Sequence, residues 1–215
     1  MAEKFVKPKR FTKEWWGYFW DYYKVHFWVV VFIIIAVVIT VKQTMSQPKY
    51  LMNVTYAGEG AVLNESMESM LYDISRDLTQ EENDGISFSQ LNFDYSDTAD
   101  IQYTVAMEQK LQLEFFVNET MLYLLDEAKL SQVTTAENYE NIWLPISEWA
   151  ENMPDEALIK HEYGVSLENS RILKEYGING NKIYLAVRKC YDEDDEKAMK
   201  RYEYSKEVAK ILIEE

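Results

Sequence analysis

The sequence predicts an α/β protein in two parts: an N-terminal single transmembrane helix, then a small three-layer α/β domain with a mostly parallel sheet. Three observations carry this. A continuous apolar run, VHFWVVVFIIIAVVITV, fills the 17 positions between Lys24 and Lys42. Downstream, stretches of period two alternate with stretches of helical period between Tyr50 and Leu125. Charge divides at the same place. Residues 1–48 hold 7 basic and 3 acidic side chains of the 22 and 37 in the chain, leaving 15 and 34, a net of −19, for the rest.

A helix rises about 1.5 Å per residue, so the apolar run covers roughly 26 Å of a hydrocarbon core about 30 Å thick. Tyr22, Tyr23 and the stems of Lys24 and Lys42 supply the remaining length. The alternative, a buried core helix, is disfavoured because Val29–Ile39 is apolar on every side and has no polar face to show water. The predicted span is 25–41. Lys4, Lys7, Lys9, Arg10, Lys13 and Lys24 precede it, which keeps residues 1–24 in the cytoplasm and exports the rest. A cleaved signal peptide would have a shorter apolar region, about 7–15 residues, ending in small residues; an uncleaved anchor fits better.

The cytoplasmic segment is basic and aromatic. Trp15, Trp16, Trp20, Tyr22, Tyr23, Lys24, Trp28 and, beyond the span, Lys42 are expected at the membrane interface. There aromatic rings bury their faces and keep their polar tips wet. Either a short amphipathic helix on the inner leaflet or a simple aromatic belt accounts for it, with docking of another membrane protein as a third reading.

A polar linker, 42–49, leads to the domain, 50–215. Tyr50–Tyr56 alternates as a strand, ended by Gly58 and Gly60. Asn64 caps a helix whose Leu63, Met67, Met70, Leu71, Ile74 and Leu78 face the core. After the EENDG turn comes a strand over 86–95. Asp97 or Thr98 then caps a helix running to about Leu113, with Ile101, Val105, Ala106 and Leu111 as its buried positions. MLYLL, 121–125, reads as a central strand. The second half is less regular: a loop and helical turn over 141–150 with Trp143 and Trp149 inward, a short strand and turn over 163–170, and a helical turn over 171–176. A strand over 182–188 follows, then a last helix to about Ile213 that buries Met199, Tyr202, Val208, Ala209 and Leu212.

Several function classes are disfavoured. So acidic a domain is repelled by nucleic acid and by anionic lipid. A single cysteine, Cys190, cannot form an internal disulfide. The two histidines are His26, at the membrane, and His161, expected on the surface. The seven glycines form neither a phosphate loop nor a dinucleotide fingerprint. The acidic run 192–196 lacks the glycine and distal glutamate of a calcium loop and suits a turn capping the last helix. No catalytic residue, metal ligand or cofactor is expected.

The element order resembles the first lobe of extracytoplasmic solute-binding proteins, the periplasmic-binding-protein-like fold. More narrowly, the chain resembles membrane-anchored bacterial proteins of that type. The resemblance rests on the basic, aromatic lead with YYK, on Tyr50–Gly58, on QKL (109–111) ahead of MLYLLD, and on YGVSLENSRILKEYGINGNKIYLAVR at Tyr163–Arg188. It implies a tethered module that captures a small-molecule or peptide ligand without catalysis. Ligands of open α/β sheets sit beyond the carboxyl ends of the parallel strands. That places Tyr56, Gly58 and Glu59 after the first strand, Tyr95 and Asp97 after the second, and Asp126 after the third. A structural subunit of a membrane complex, with a membrane-protein partner, is the alternative, and a hydrolase using His161 or a buried carboxylate the third.

Overall fold

The computed structural model describes residues 12–45, 49–60, 64–79, 84–96, 98–135, 141–150 and 154–214. Two compact units, 1–47 and 48–215, divide the chain. The first holds one continuous 33-residue helix, α1, Lys13–Met45. Its segment Tyr23–Lys42, 20 residues, is long and apolar enough to cross a membrane, and none of its most apolar window is buried by protein. The helix runs without a break through the aromatic lead. Trp15 meets Trp16 edge-on at 5.2 Å between ring centres, and Trp20 lies 5.8 Å from Phe27. Trp16, Trp20, Tyr23 and Trp28 are exposed. Tyr22 belongs to the helix, with its side chain outside the described residues. Helix continues past Lys42 because Gln43, Thr44 and Met45 do not forbid it, and strand begins at Lys49, inside the expected linker 42–49; residues 46–48 lie outside the described residues.

The domain strands are β1 Lys49–Glu59, β2 Asp84–Phe93, β3 Thr120–Leu125, β4 Ile159–Lys160, β5 Gly164–Ser166 and β6 Tyr184–Val187. The helices are α2 Asn64–Thr79, α3 Ile101–Val117, α4 Glu127–Thr135, α5 Arg171–Glu175 and α6 Glu196–Ile213. They build one six-stranded sheet in the order β2-β1-β3-β6-β5-β4. β1 pairs parallel with β2 and β3, as expected for helix-linked strands. The remaining pairs, β3–β6, β6–β5 and β5–β4, are antiparallel. The sheet is therefore mixed, not mostly parallel. For the β5–β4 pair the cause is local: the two strands are joined by residues 161–163, too few for a crossover, and His161 and Glu162 take left-handed φ values of 52° and 64° to make the turn.

Strand alternation separates two apolar clusters. Val54, Tyr56, Leu122, Leu124, Leu185 and Val187 join α2, α5 and α6 in one. Ala57, Leu91, Phe93, Tyr123, Leu125 and Ala186 join Leu111 and Phe115 of α3, Leu130 and Val133 of α4, and Trp143 in the other. The Met67, Met70, Leu71, Ile74 stripe of α2 is buried as its spacing predicts. Trp149 is buried too, as are Val208, Ala209 and Leu212 of α6, while Met199 and Tyr202 are half-buried.

α3 departs from expectation. Its cap is Asp100, whose carboxylate accepts from the N–H groups of Gln102 (2.9 Å) and Tyr103 (3.3 Å). Thr98 precedes this cap, and Asp97 lies outside the described residues. Ile101, Val105 and Ala106 are exposed, and only Leu111 and Phe115 are buried. The rotation is fixed by a polar contact on its inner side: the Thr55 hydroxyl donates to Glu114 Oε2 at 2.8 Å.

Candidate functional site

The parallel half of the sheet ends in three loops that meet. β1 closes with Tyr56, Ala57, Gly58 and Glu59; Gly60, at φ 80°, turns the chain away. β2 ends at Phe93, two residues before Tyr95. β3 ends at Leu125, and Asp126 opens α4. Tyr56, Glu59, Tyr95 and Asp126 line one cleft of about 310 Å³, together with Glu127, Ala128, Asn181, Lys182 and Ile183. Four of the six residues expected from strand-end reasoning thus converge.

Gly58 lies beneath them. A Cβ there would stand 2.8 Å from the Tyr56 hydroxyl and 2.9 Å from Asp126 Cβ, so glycine lets β1 pass under the cleft floor. Asp97 lies outside the described residues.

Asp126 is committed to structure. Its Oδ2 accepts the Glu59 N–H at 2.7 Å, and its Oδ1 accepts the Lys129 N–H at 2.7 Å, the capping bond of α4. The Tyr95 hydroxyl reaches the same Oδ1 at 3.4 Å. The Tyr56 hydroxyl donates to the Glu59 carbonyl at 3.0 Å. Burial, then the Asp126 and Glu59 charges, push the Tyr56 phenol up to about 12. Burial and Asp126 likewise raise Tyr95. Both phenols therefore stay neutral donors at physiological pH. Glu127, at the rim, pairs with Lys160, which holds its carboxyl below the usual range.

Behind Tyr95 sits a buried lysine. Lys129 Nζ lies 3.7 Å from the Phe93 ring centre and 5.9 Å from that of Tyr95. It donates to Gln132 Oε1 at 2.8 Å and pairs with the Glu108 carboxylate. This post props the cleft wall from within.

Sequence reasoning missed Asn181 and Lys182. Their signal was the strand that follows them. Tyr184 of β6 pairs antiparallel with Leu125, which brings the chain entering β6 to the carboxyl end of β3. Lys182, at φ 62°, makes that entry. His161 is exposed. Cys190 is half-buried, its thiol 3.6 Å from the Asp192 carbonyl. Asp195 caps α6 by accepting from Lys197 N–H at 2.9 Å. Among the described residues no three His, Cys, Asp or Glu side chains converge as a metal site.

A second hollow, of about 320 Å³, opens beneath the last turns of α3, lined by Asn53, Ser87, Ser89, Lys110, Glu114 and Thr120 among others. Thr55, fully buried, links Ser89 (2.8 Å) to Glu114. Burial raises the Glu114 carboxyl, and the Thr55 hydrogen bond and Lys110 only partly oppose it. A carboxyl raised in the folded state binds protons more tightly there than when unfolded. Stability therefore falls as pH rises from the ordinary carboxylate value, 4.5, through the raised one. Glu114→Gln is expected to flatten that part of the stability–pH curve. Melting midpoints of the two proteins across pH 4 to 7 check this, and parallel curves would refute it.

Comparison with protein-family models, with curated proteins and with solved structures finds no match for this chain.

Proposed function

We propose that this chain is a membrane-anchored, non-catalytic binding module, N-terminus in the cytoplasm and domain outside, that captures a small polar ligand bearing a positive charge. The carrying observation is the convergence of Tyr56, Glu59, Tyr95 and Asp126 from three strand ends into one cleft. Of its lining carboxylates Asp126 is held by two backbone N–H groups and Glu127 by Lys160, so Glu59 is the one it presents to a cation, across from Lys182 and beside two protonated phenols. The site lies where open α/β sheets hold ligands. The two apolar clusters support reading the domain as three-layer, and the parallel β2-β1-β3 half supports a solute-binding-like lobe.

The test uses the full chain in lipid nanodiscs, melted against panels of amines, amino sugars, basic dipeptides and neutral sugars. Ligand at a hundredfold excess over Kd stabilises the folded state by about 2.7 kcal/mol. A cationic class is expected to raise the midpoint, and Glu59→Gln to weaken the effect. A flat response across all panels would refute ligand capture and favour the second reading, a subunit of a membrane complex. One observation supports that reading: the exposed apolar face of α3.

A further inference from the structure

The two edges of the sheet differ. β4 closes one with two residues, Ile159 and Lys160, a length and a charge that resist further pairing. β2 closes the other with ten, DGISFSQLNF. It holds no lysine, arginine or proline, and the register slip near its start belongs to β1, where Leu51 is the extra residue. Every second residue of β2 turns its N–H and C=O away from β1. Among the described residues no backbone group meets that outer row. Native sheets blunt or cover such an edge, because it is a template for another strand.

Hollows flank the first half of β2 on both faces of the sheet. On the α2 face, Tyr50, Glu68, Tyr72, Ile86 and Phe88 line one of about 350 Å³. Glu68 and Tyr72 stand four residues apart on α2, which stacks them on one side of the helix. Tyr50 is 51% and Tyr72 48% exposed, and Glu68, also exposed, pairs with no cation among the described residues. On the α3 face, Ser87 and Ser89 open into the hollow of about 320 Å³ beneath α3. Side chains of a strand alternate between faces, so a strand laid beside β2 sends its own to both hollows in turn.

We propose that the open edge of β2 takes up an extended segment of another protein as a seventh strand, with an arginine or lysine of that segment held by Glu68, Tyr50 and Tyr72. The backbone ladder supplies affinity, and the hollow on the α2 face supplies selection. Tyrosine rings and an unpaired carboxylate together suit a cation. The net charge of −19 on this part of the chain draws a basic segment toward it. A second copy of this chain fits the edge poorly. β2 has no basic side chain to place against Glu68, and the copy brings the same negative charge with it. The hollow lies along the start of β2, away from the cleft at the carboxyl ends of the strands, and does not depend on ligand capture there.

The test uses the full chain in phosphatidylcholine nanodiscs at one copy per disc. The probe is a fluorescein-labelled eight-residue peptide of alternating threonine and valine with one central arginine. Anisotropy reads its binding, and amide hydrogen exchange over residues 84–93 reads its place. Bound peptide is expected to slow exchange at the outward N–H groups of β2 by about tenfold or more. The same peptide N-methylated throughout has no N–H to donate and is expected to bind roughly tenfold more weakly. Glu68→Gln, at an exposed position that leaves the fold intact, is expected to weaken binding about threefold, as is citrulline in place of the arginine. The two changes together should cost little more than either alone, because they remove one contact. No binding, or equal binding by the N-methylated peptide, overturns the proposal. Fully additive losses from Glu68→Gln and citrulline overturn the place given to the arginine. Slow exchange over 84–93 in the peptide-free chain overturns it too: at one copy per disc it shows the edge already covered, and at two copies only it assigns the edge to a second chain.

Discussion

Asp126→Ala is expected to destabilise the domain by about 2–3 kcal/mol, well beyond the loss of an ordinary surface carboxylate. One carboxylate does two jobs. Through Oδ1 it caps α4 at Lys129, and through Oδ2 it ties the end of β1 at Glu59, both at 2.7 Å. Losing a cap alone costs about 1 kcal/mol, and a charge-assisted bond to a backbone N–H adds about 1.5 kcal/mol. Water can reach the freed N–H of Glu59, which is exposed, so the total does not climb further. Asp126→Asn keeps an acceptor for one N–H but turns an amide donor toward the other, so about half the loss is expected. Urea titration of the nanodisc-held chain, followed by far-UV circular dichroism, separates the cases. An alanine variant within about 0.5 kcal/mol of the parent would show that the two bonds contribute little. The same substitution frees the loop carrying Glu59, so ligand response should weaken with it.

The long apolar helix, β1 to β3 and the convergence of strand ends were legible because each follows from local pattern. The run between Lys24 and Lys42, apolar but for His26 at its rim and Thr40, predicts one long apolar helix, and the structure has one long and apolar enough to cross a membrane. MLYLL, buried at every position, reads directly as a central strand. What escaped depended on partners distant in sequence. α4, EAKLSQVTT, has only Leu130 and Val133 as apolar anchors, and its third buried side chain is Lys129. Pattern reading counts a lysine as solvent-facing, so the helix vanishes from it. α3 failed for the opposite reason. Its apolar side chains outnumber its buried ones, and the rotation is set by Glu114 meeting Thr55, 59 residues earlier. The direction of β6 escaped too, since strand direction follows the path of the connections and not the composition of the strand. Within the cleft, Tyr56, Glu59, Tyr95 and Asp126 were legible, and Lys182, which enters through β6, was not.

Lys129 offers the sharper test of how the cleft wall is held. Its side chain is 2% exposed and that of Glu108 30%. Removing the carboxylate strands an ammonium against a ring face and one amide oxygen. Removing the ammonium leaves only a half-wet carboxylate that water can serve. Breaking a buried pair from the side that leaves the charge inside is the costly direction. Glu108→Ala is therefore expected to cost about 2–3 kcal/mol, discounted for the partial exposure of Glu108, whereas Lys129→Met, which keeps the apolar stem against Phe93, costs about 1 kcal/mol or less. In the double variant the methionine should recover most of what Glu108→Ala loses, and the cycle of unfolding free energies measures that coupling directly. Should Lys129→Met prove the more damaging single change, the ring face and Gln132 would be the main support of the ammonium and the ion pair secondary. Because the Lys129 backbone N–H also caps onto Asp126, a methionine there keeps the cap while discharging the post. A ligand response that survives Lys129→Met would place recognition at the rim carboxylates; one that disappears in a folded protein would tie it to the charge behind Tyr95.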